Sequence, residues 1–576
     1  MNLKFSKNKF LKNGSLAFVF LALVLIIFIL YSVISSGNIG KDLFSLKKEI
    51  TEGVLVDKSF IGIQRVFPTN YNTSDLDRSI SSLIYEPLFR VDQDENIIPV
   101  LAENFSQENY KYTINLKQNI KFSNGQSMTA NDVISTINAI RTKFNDSATK
   151  TIFDELKYDA PDDFTITLDV GKYIPTLFED LSFGIMPASE LDKVADKFIG
   201  LEISRNPIGT GPMKKNSSSE KEYVLVKNEF FRSAENIKID KYIFKFFKSQ
   251  TQLERSLLGK SVTFTKNIRL NKLKVIDGDV LKNDNYYLTN YESNVFANRY
   301  WSLYFNLKDE ALMNDTEKDT LKVFQDNNVR RAINLGINKS IIASSISTKS
   351  QPMQRALSEL SWVNLGNSNP YLFDNSKSDT LLNESGWLMV EGKRQKNQQV
   401  LEFKITYFQN ETSNEVINLI IEQLKSIGIQ AVADPISDAS HLNDQILKTK
   451  QFEVVLLGTE TYIDPDRSRL WLESQISQDG LNISSYRSSE KVQDIITGSE
   501  ISRVDDALNR ARSIEDKETR IKLYKDFEKI IDKDSPVIFL YQPNINIISN
   551  KALTMPLDNL VSPQSIYYNL ELWNLN

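Results

Sequence analysis

Cysteine is absent from the chain of 576 residues. Disulfides, thiolate chemistry, cysteine-based zinc sites and an anchor lipidated on cysteine are therefore excluded for it. A single histidine, His441, is present, and it lies in the polar stretch 438–441. A histidine-based catalytic triad or metal cluster would depend on that one residue. The sequence thus predicts neither a resident metal nor any other cofactor.

An excess of basic charge and the usual hydrolase motifs are also lacking. Lysine and arginine total 69 against 74 aspartates and glutamates, which gives a formal net charge of −5. Nucleic acid is therefore not expected as a partner, because phosphate binding needs a basic face. No GxSxG or HExxH motif occurs, and no acid–base pair of carboxylates stands out. We expect a protein that is not an enzyme.

One long apolar run is present near the start of the chain. Residues 16–34 form a run of 19 largely apolar residues behind four lysines. At 1.5 Å rise per residue, a helix of this length spans roughly 28 Å, close to the hydrocarbon thickness of a bilayer. We expect an uncleaved transmembrane anchor, with the basic residues 1–15 in the cytoplasm and the main domain outside. A cleaved secretion signal is the alternative, because small residues follow the run.

Beyond the anchor, the pattern of the sequence changes twice. Residues 35–58 lack a sustained apolar period and are predicted to form a linker. Further on, apolar residues alternate in 110–117 and 164–170, as they do in half-buried strands. Between these two stretches, Thr129 is placed as the N-cap of an amphipathic helix that runs to Ile140. Strands and helices therefore interleave along the chain.

A strand–helix–strand unit is predicted in the second half of the chain. The strand-like stretch 401–408 is followed by a helix with an apolar face, and Gly428 is placed to end that helix before the strand-like stretch 429–432. Such a crossover brings the two strands side by side in parallel. The predicted fold class is therefore α/β, mixed α+β, in at least two lobes.

Short motifs follow one another in a fixed order along most of the chain. They are Tyr85-Glu-Pro-Leu-Phe89, Pro99-Val-Leu-Ala-Glu103, Thr129-Ala-Asn-Asp-Val133, Asn206-Pro-Ile-Gly-Thr-Gly-Pro212, Asp464-Pro465 and Ser535-Pro-Val-Ile-Phe-Leu-Tyr541. In this order they resemble the extracellular solute-binding proteins of family 5, the oligopeptide-, dipeptide- and nickel-type receptors of ABC importers. Gly209 and Gly211 of the fourth motif predict a turn that tolerates positive φ and close backbone approach.

The resemblance implies a two-lobed, periplasmic-binding-protein-like fold that encloses its ligand by hinge closure. Carried over to this chain, lobe I spans 59–298 and has an extra subdomain inserted at 81–205. Lobe II spans 299–542, and residues 543–576 return to lobe I. The expected transmembrane helix at 16–34 would precede these lobes.

The resemblance also implies where the ligand binds. An aromatic cluster and the loop around the Asp-Pro motif face the cleft in the family. The candidate ligand-binding residues in these two places are Tyr300, Trp301, Tyr304, Asn306, Thr459, Glu460, Thr461, Tyr462 and Asp464. Flat aromatic faces suit ligand side chains of varied size. Core or interlobe packing is the alternative interpretation for each aromatic residue.

Thr461 is the position at which this chain departs from peptide-binding members of the family. In those members an aspartate three residues before the Asp-Pro motif pairs with the peptide's α-amino group, because a buried ammonium needs a carboxylate. Either the adjacent Glu460 takes this role, or the ligand carries no free amino terminus there. Direct ligation of nickel by histidine is not expected with His441 alone.

Taken together, these features predict a membrane-tethered substrate receptor of an ABC importer, with its main domain outside the cell or in the periplasm. Peptides or another small solute are the expected ligand, and the permease subunits and the membrane are the expected partners. A solute sensor or surface interaction module of the same fold, not coupled to transport, is the alternative.

Overall fold

The computed structural model describes the chain from residue 48 to residue 575. The positions outside the description within this span are 57–59, 61, 64–65, 67–73, 93, 143–152, 155, 194–201, 267–271, 273–287, 297–298, 348–349, 358–360, 364–371, 461–462, 478–479, 495–497, 551, 557–561 and 563. No helix among the described residues is long and apolar enough to cross a bilayer. The predicted anchor at 16–34 and the basic segment 1–15 lie outside the described residues.

Short strands and helices alternate along this part of the chain. The strands are β1 Glu49–Leu55, β2 Phe89–Val91, β3 Ile97–Pro99, β4 Ala102–Glu108, β5 Lys111–Leu116, β6 Lys157–Asp162, β7 Thr165–Asp169, β8 Met213–Ser218, β9 Glu222–Lys227, β10 Lys241–Phe247, β11 Phe264–Lys266, β12 Leu288–Phe296, β13 Arg299–Phe305, β14 Gln351–Pro352, β15 Leu388–Val390, β16 Lys393–Lys396, β17 Gln399–Val400, β18 Glu402–Phe408, β19 Gln430–Ile436, β20 Val454–Glu460, β21 Lys491–Gln493, β22 Glu500–Ser502, β23 Val537–Gln542, β24 Asn544–Asn550, β25 Leu553–Thr554 and β26 Asn574–Leu575.

The helices are longest in the second half of the chain. They are α1 Asp75–Ile84, α2 Ala130–Thr142, α3 Leu177–Asp180, α4 Ala188–Leu191, α5 Glu202–Arg205, α6 Gln250–Leu258, α7 Asp315–Leu321, α8 Asn327–Leu335, α9 Lys339–Ile346, α10 Asn375–Glu384, α11 Glu411–Ser426, α12 Ala439–His441, α13 Ser468–Trp471, α14 Arg503–Ala511 and α15 Lys517–Asp534. Short 3₁₀ helices lie at Ala234–Asn236, Glu310–Leu312, Lys322–Gln325, Glu473–Ile476, Ser565–Tyr567 and Leu570–Leu572, and a π-helical segment lies at Leu442–Leu447.

Three sheets organise these elements into three modules. The first module contains the seven-stranded sheet β12-β24-β11-β1-β10-β9-β8, on which α1 and residues 564–575 pack. The inserted module contains the four-stranded antiparallel sheet β4-β5-β7-β6 and α2. The second module contains the six-stranded sheet β14-β23-β13-β20-β18-β19 and the helices α7–α11 and α13–α15. The boundaries of the lobes stay a prediction.

The predicted linker at 35–58 contains a strand rather than coil at Glu49–Leu55. This strand is β1, which pairs in parallel with β11. The linker interpretation was wrong for these residues because their polarity concealed their burial. Glu52 has no exposed surface, and it accepts hydrogen bonds from the hydroxyls of Tyr242 at 2.6 Å and Tyr567 at 2.8 Å.

Local patterns in the inserted module are confirmed. Strands β5 and β7 lie within the two stretches in which apolar residues alternate. Helix α2 begins directly after Thr129, whose backbone N–H and hydroxyl donate to the Asp132 carboxylate at 2.7 and 3.2 Å. Both bonds run from Thr129 to Asp132, so the Asp132 side chain satisfies the backbone N–H of the residue that caps the helix.

The predicted strand–helix–strand unit of the second module is also confirmed. Strands β18 and β19 pair in parallel along their whole lengths, and α11 connects them. Gly428 follows the helix with a φ of +82°, a conformation that glycine adopts without steric cost. Apolar clusters cover the six-stranded sheet on both faces.

The turn that contains Gly209 and Gly211 lies directly against the backbone at the end of helix α1. A Cβ atom on Gly209 would lie 2.1 Å from the carbonyl oxygen of Ile84, and one on Gly211 would lie 2.6 Å from that of Leu83. The Gly211 N–H donates to the Ile84 carbonyl at 2.8 Å. The predicted close approach is therefore confirmed, but neither glycine has a positive φ. The turn needs glycine for space rather than for dihedral freedom.

A buried polar network holds α1 on the seven-stranded sheet. The ammonium group of Lys266 donates to the hydroxyls of Ser79 on α1 at 2.7 Å and of Tyr567 at 2.6 Å, and it lies 3.9 Å from the Glu52 carboxylate. Burial lowers the pKa of Lys266, and the neighbouring charge of Glu52 opposes that shift. The network joins β1, β11, α1 and the end of the chain.

Replacement of Glu52 by alanine is expected to lower the free energy of unfolding by about 3–5 kcal/mol, because the Lys266 ammonium stays buried without its carboxylate. Urea unfolding of the full-length protein measures this loss. Alanine at the exposed Glu49 of the same strand is the control, with an expected change within about 0.5 kcal/mol. Equal effects of the two substitutions would contradict the structural role of Glu52.

Candidate ligand-binding site

Three of the predicted aromatic residues lie on β13, but they do not share a face. Because side chains alternate along a strand, Tyr300 and Tyr304 belong to one face of the sheet and Trp301 to the other. Tyr300 is fully buried, and its ring packs edge-on against Phe539 with centroids 5.9 Å apart. Trp301 is half-buried and stacks on Tyr541 at 6.4 Å. Tyr300 and Tyr304 are both buried in the same apolar cluster, which favours the packing interpretation for these two tyrosines.

Asn306 directly follows β13 and bonds to the backbone of a neighbouring turn. Its side-chain amide donates to the carbonyls of Lys450 and Phe452, both at 2.8 Å. Its side-chain oxygen accepts from the N–H of Lys308 at 3.1 Å. Asn306 is fully buried. These bonds fix the end of β13 against the start of β20, which is a structural role.

The remaining predicted residues lie in one stretch, which we call the 459–464 segment. Thr459 lies near the end of β20, and its hydroxyl hydrogen-bonds the hydroxyl of Tyr304. Thr461 and Tyr462 lie outside the described residues. Glu460 and Asp464 are described, and each is held by side chains from other modules or other elements.

Four charged side chains form a row through Glu460. Arg78 of α1 and Arg299 of β13 both donate to the same carboxylate oxygen of Glu460, Arg299 at 3.1 Å. Arg78 also donates to Asp75 on its own helix at 2.5 Å. The row therefore alternates in sign and is neutral overall. The Arg78 side chain is 2% exposed and that of Glu460 25% exposed, so water screens their ion pair less than it screens an exposed pair.

The row stabilises the charged forms of Asp75 and Arg78. Burial by itself would lower the pKa of Arg78, but the carboxylates of Glu460 and Asp75 outweigh burial and raise that pKa. Burial would raise the pKa of Asp75, but Arg78 and Arg299 outweigh it and hold that pKa below its ordinary value. A carboxylate that already binds two guanidinium groups is a weak partner for a ligand ammonium.

Asp464 is nearly buried and pairs with Arg520 of α15. One guanidinium nitrogen of Arg520 donates to both carboxylate oxygens, at 2.8 and 2.7 Å. Burial raises the pKa of Asp464, and the charge of Arg520 opposes the rise. Arg520 also donates to the hydroxyl of Tyr173, a residue of the inserted module, at 3.4 Å. Asp464 therefore anchors the segment to the second module and lies close to the boundary with the inserted module.

Glu179 of α3 contacts the same segment from the inserted module. Its carboxylate accepts hydrogen bonds from the backbone N–H groups of Asp464 at 2.9 Å and Ile463 at 3.3 Å. A second contact lies beside it, because Arg469 of α13 is 3.8 Å from the carboxylate of Asp180. The 459–464 segment is thus held at one end by Arg78 and at the other by Glu179.

Sequence reasoning missed Arg78, Arg299 and Glu179. Arg78 is 382 residues from Glu460, and Glu179 is 284 residues from Ile463. Nothing in the local pattern around either residue indicates so distant a partner. Of the predicted residues, the structure brings Tyr304 and Thr459 together, and it places Glu460 and Asp464 at the boundary between modules. It places Asn306 and Tyr300 in the interior.

Comparison with known proteins places this arrangement in a family. The family model for bacterial extracellular solute-binding proteins, family 5 Middle, matches residues 96–477. The chain belongs to this family. The predicted resemblance is therefore confirmed. The oligopeptide-binding protein AppA of Bacillus subtilis is 23% identical to this solute-binding protein over 98% of this chain and 99% of AppA.

Solved structures confirm the mixed α/β, periplasmic-binding-protein-like fold. AppA of Bacillus subtilis in complex with a nonapeptide matches with a TM-score of 0.73 and 20% identity, over 92% of this chain and 99% of AppA. NikZ of Campylobacter jejuni in complex with Ni(L-His) matches with a TM-score of 0.72 and 23% identity, over 91% and 99%. DppA of Helicobacter pylori in complex with the peptide STSA matches with a TM-score of 0.72 and 18% identity, over 92% and 99%.

The described residues of this solute-binding protein contain no group of three or more histidine, aspartate or glutamate side chains placed to hold a metal ion. The chemistry that the described site offers is hydrogen bonding and ion pairing. Both are suited to the capture of a polar solute.

A double-mutant cycle on Arg78 and Glu460 is expected to give a coupling energy of about 0.5–3 kcal/mol, because the two side chains touch at a shielded boundary. The variants are R78M, E460Q and the double substitution, each measured by urea unfolding. The control cycle uses Lys529 and Asp526, whose side chains are 75% and 44% exposed, and its coupling is expected to be about 0.5 kcal/mol or less. If the changes in the free energy of unfolding caused by R78M and E460Q were strictly additive in the double variant, the contact would be contradicted.

Proposed function

We propose that this protein is the substrate-binding component of an ABC importer and that it captures peptides, or a similar small solute, between two lobes. The family match over residues 96–477 is the observation that carries the proposal. The structures of AppA and DppA contain peptides, and both proteins are similar to this chain over almost their whole lengths. We expect binding without turnover of the bound solute.

In this proposal lobe I, at 59–298, consists of the inserted module and most of the first module, to which β1 also belongs, and the second module forms lobe II, at 299–542. Residues 543–576 return to lobe I, as β24 does in the seven-stranded sheet. The 459–464 segment and Trp301 contact the ligand, and hinge closure brings Arg78 and Glu179 onto that segment. A ligand that touches both lobes stabilises the closed state by its greater affinity for it.

The charged row bears on how a peptide would be oriented. Because Glu460 already accepts from Arg78 and Arg299, an α-amino group would have to compete with two guanidinium groups for this carboxylate. Of the two alternatives that Thr461 raises, this geometry favours a ligand whose amino terminus is not bound at Glu460. Recognition then rests on the backbone and side chains of the ligand.

Peptides acetylated at the amino terminus are expected to bind nearly as well as free peptides. A pool of peptides of four to nine residues is offered to the full-length protein in detergent, and mass spectrometry identifies those that are retained. Isothermal titration then compares a retained peptide with its acetylated form, and the affinity is expected to fall less than about tenfold, or about 1.4 kcal/mol. Loss of an ammonium from a buried carboxylate costs about 2–5 kcal/mol.

A loss of that larger size on acetylation would show that a carboxylate holds the amino group. The variant E460Q then identifies whether that carboxylate is Glu460, because the difference between free and acetylated peptide disappears in it. If no peptide is retained and no titration gives heat, the proposal of a peptide ligand is wrong.

We further propose that residues 16–34 tether this protein to the membrane, with the lobes outside. The length and apolarity of this run and the four lysines before it support the proposal. The intact mass of protein recovered from membranes is expected to include residues 1–34. Protein released into the medium or periplasm with a mass that starts after residue 34 would show cleavage instead.

An arginine at Ile26, near the middle of this run, is expected to reduce the membrane-bound fraction, because a charge at the centre of a spanning helix costs about 2.5–3.5 kcal/mol on insertion scales. Leucine at the same position is the matched control and is expected to leave the fraction unchanged. Membrane fractionation followed by quantitative immunoblotting measures the result.

A further inference from the structure

We propose that Glu179 is a positioning residue of the closed, ligand-bound state, which reaches from the inserted module and holds the C-terminal end of the 459–464 segment. The proposal rests on the proposed function, because it concerns closure around the ligand that this segment is expected to contact. It adds a residue that the ligand itself need not touch.

The geometry of the contact supports this role. The carboxylate of Glu179 accepts from two consecutive backbone N–H groups, those of Ile463 and Asp464. These amides lie in the turn after β20, where Asp464 is fixed to Arg520. Backbone donors at a module boundary lose their water on closure and need a replacement acceptor. Glu179 is that acceptor, and it comes from the opposite module.

The charges around Glu179 come from both sides of the boundary. Asp180 is its neighbour on α3, and Asp464 and Arg467 face it from the second module. Burial raises the pKa of Glu179 from 4.5 to about 8, the Asp464 amide opposes that shift, and the charges of Asp464 and Asp180 add to it. A protonated carboxyl retains one carbonyl oxygen, which can still accept one of the two N–H bonds.

Closure is therefore linked to proton uptake. We expect Glu179 to be exposed to water in the open state, where its pKa is then near the ordinary 4.5, whereas burial at the module boundary raises that pKa to about 8. The stabilisation of the closed state by this residue is fully present below pH 4.5, and it is lost as the pH rises through 8. Between these values, the ratio of closed to open protein changes by up to about tenfold per pH unit.

The test is a pH profile of closure that does not need a ligand. Because the chain has no cysteine, cysteines introduced at the exposed positions Glu108 and Ser376 take a donor and an acceptor dye without competing sites. Energy transfer then reports the distance between the inserted and second modules from pH 5 to pH 9. In the otherwise unchanged protein, the closed fraction is expected to fall as the pH rises.

Two variants of Glu179 distinguish the role of its side chain as a hydrogen-bond acceptor from the effect of its protonation. E179Q keeps a carbonyl oxygen but cannot ionise, so its closed fraction is expected to be independent of pH and to exceed that of the parent at pH 8. E179A lacks the acceptor, so its closed fraction is expected to be low at every pH. Any one of three results would overturn the inference. The closed fraction of the parent protein does not depend on pH, the closed fraction of E179Q changes with pH as steeply as that of the parent, or E179A closes to the same extent as the parent at pH 5.

A matched control comes from the second module. Burial also raises the pKa of Glu528 to about 8, but Glu528 accepts from the N–H of Leu357 within the same module. E528Q is therefore expected to keep the parent's pH slope for closure. If E528Q loses that slope, the proton linkage does not belong to Glu179.

Peptide titration distinguishes this inference from the proposed function. Isothermal titration of a retained peptide at pH 6–7, in buffers of different ionisation enthalpy, measures the number of protons taken up per peptide bound. We expect close to one proton for the parent protein and close to none for E179Q. If no peptide binds while the energy-transfer profile still depends on Glu179, the ligand proposal fails and the inference stands. If a peptide binds with the same proton uptake in both proteins, the inference fails and the ligand proposal stands.

Discussion

The Lys266 ammonium and the Glu52 carboxylate lie 3.9 Å apart inside the first module, and the charge of Glu52 opposes the lowering of the Lys266 pKa by burial. This constraint joins the first strand, the short strand β11 and the end of the chain. Through Ser79 it also fixes α1, and α1 carries Arg78. The position of the guanidinium at the module boundary therefore depends on an ion pair in the interior.

Much of the fold could be predicted because its signals are local. Alternating residues predicted β5 and β7, Thr129 predicted the start of α2, and the apolar face of α11 with Gly428 predicted a parallel strand pair. These patterns come from backbone periods and from caps, which depend on a few adjacent residues. The family resemblance came from the order of short motifs, which needs no knowledge of contacts.

The site was less accessible from the sequence. The aromatic residues of β13 looked like one cluster along the chain, but the alternation of the strand divides them between two faces, each covered by its own core. The polar strand β1 looked like a linker because its carboxylate is satisfied by tyrosines more than 180 residues away. Glu179 is recognisable only once the fold brings it to two backbone amides of the second module. Polar groups that pair over long distances in the chain leave no repeating pattern in the sequence from which the pairing could be predicted.

The four-charge row has a kinetic consequence. Asp75 and Arg78 lie on one helix, whereas Arg299 and Glu460 face each other on adjacent strands of the second module. If the modules separate, the row parts at its centre and leaves a neutral ion pair on each side. No lone charge then has to be hydrated in the transition state for opening, so a shielded contact can break without a large barrier. The contact between the two modules can therefore be specific without being slow to break.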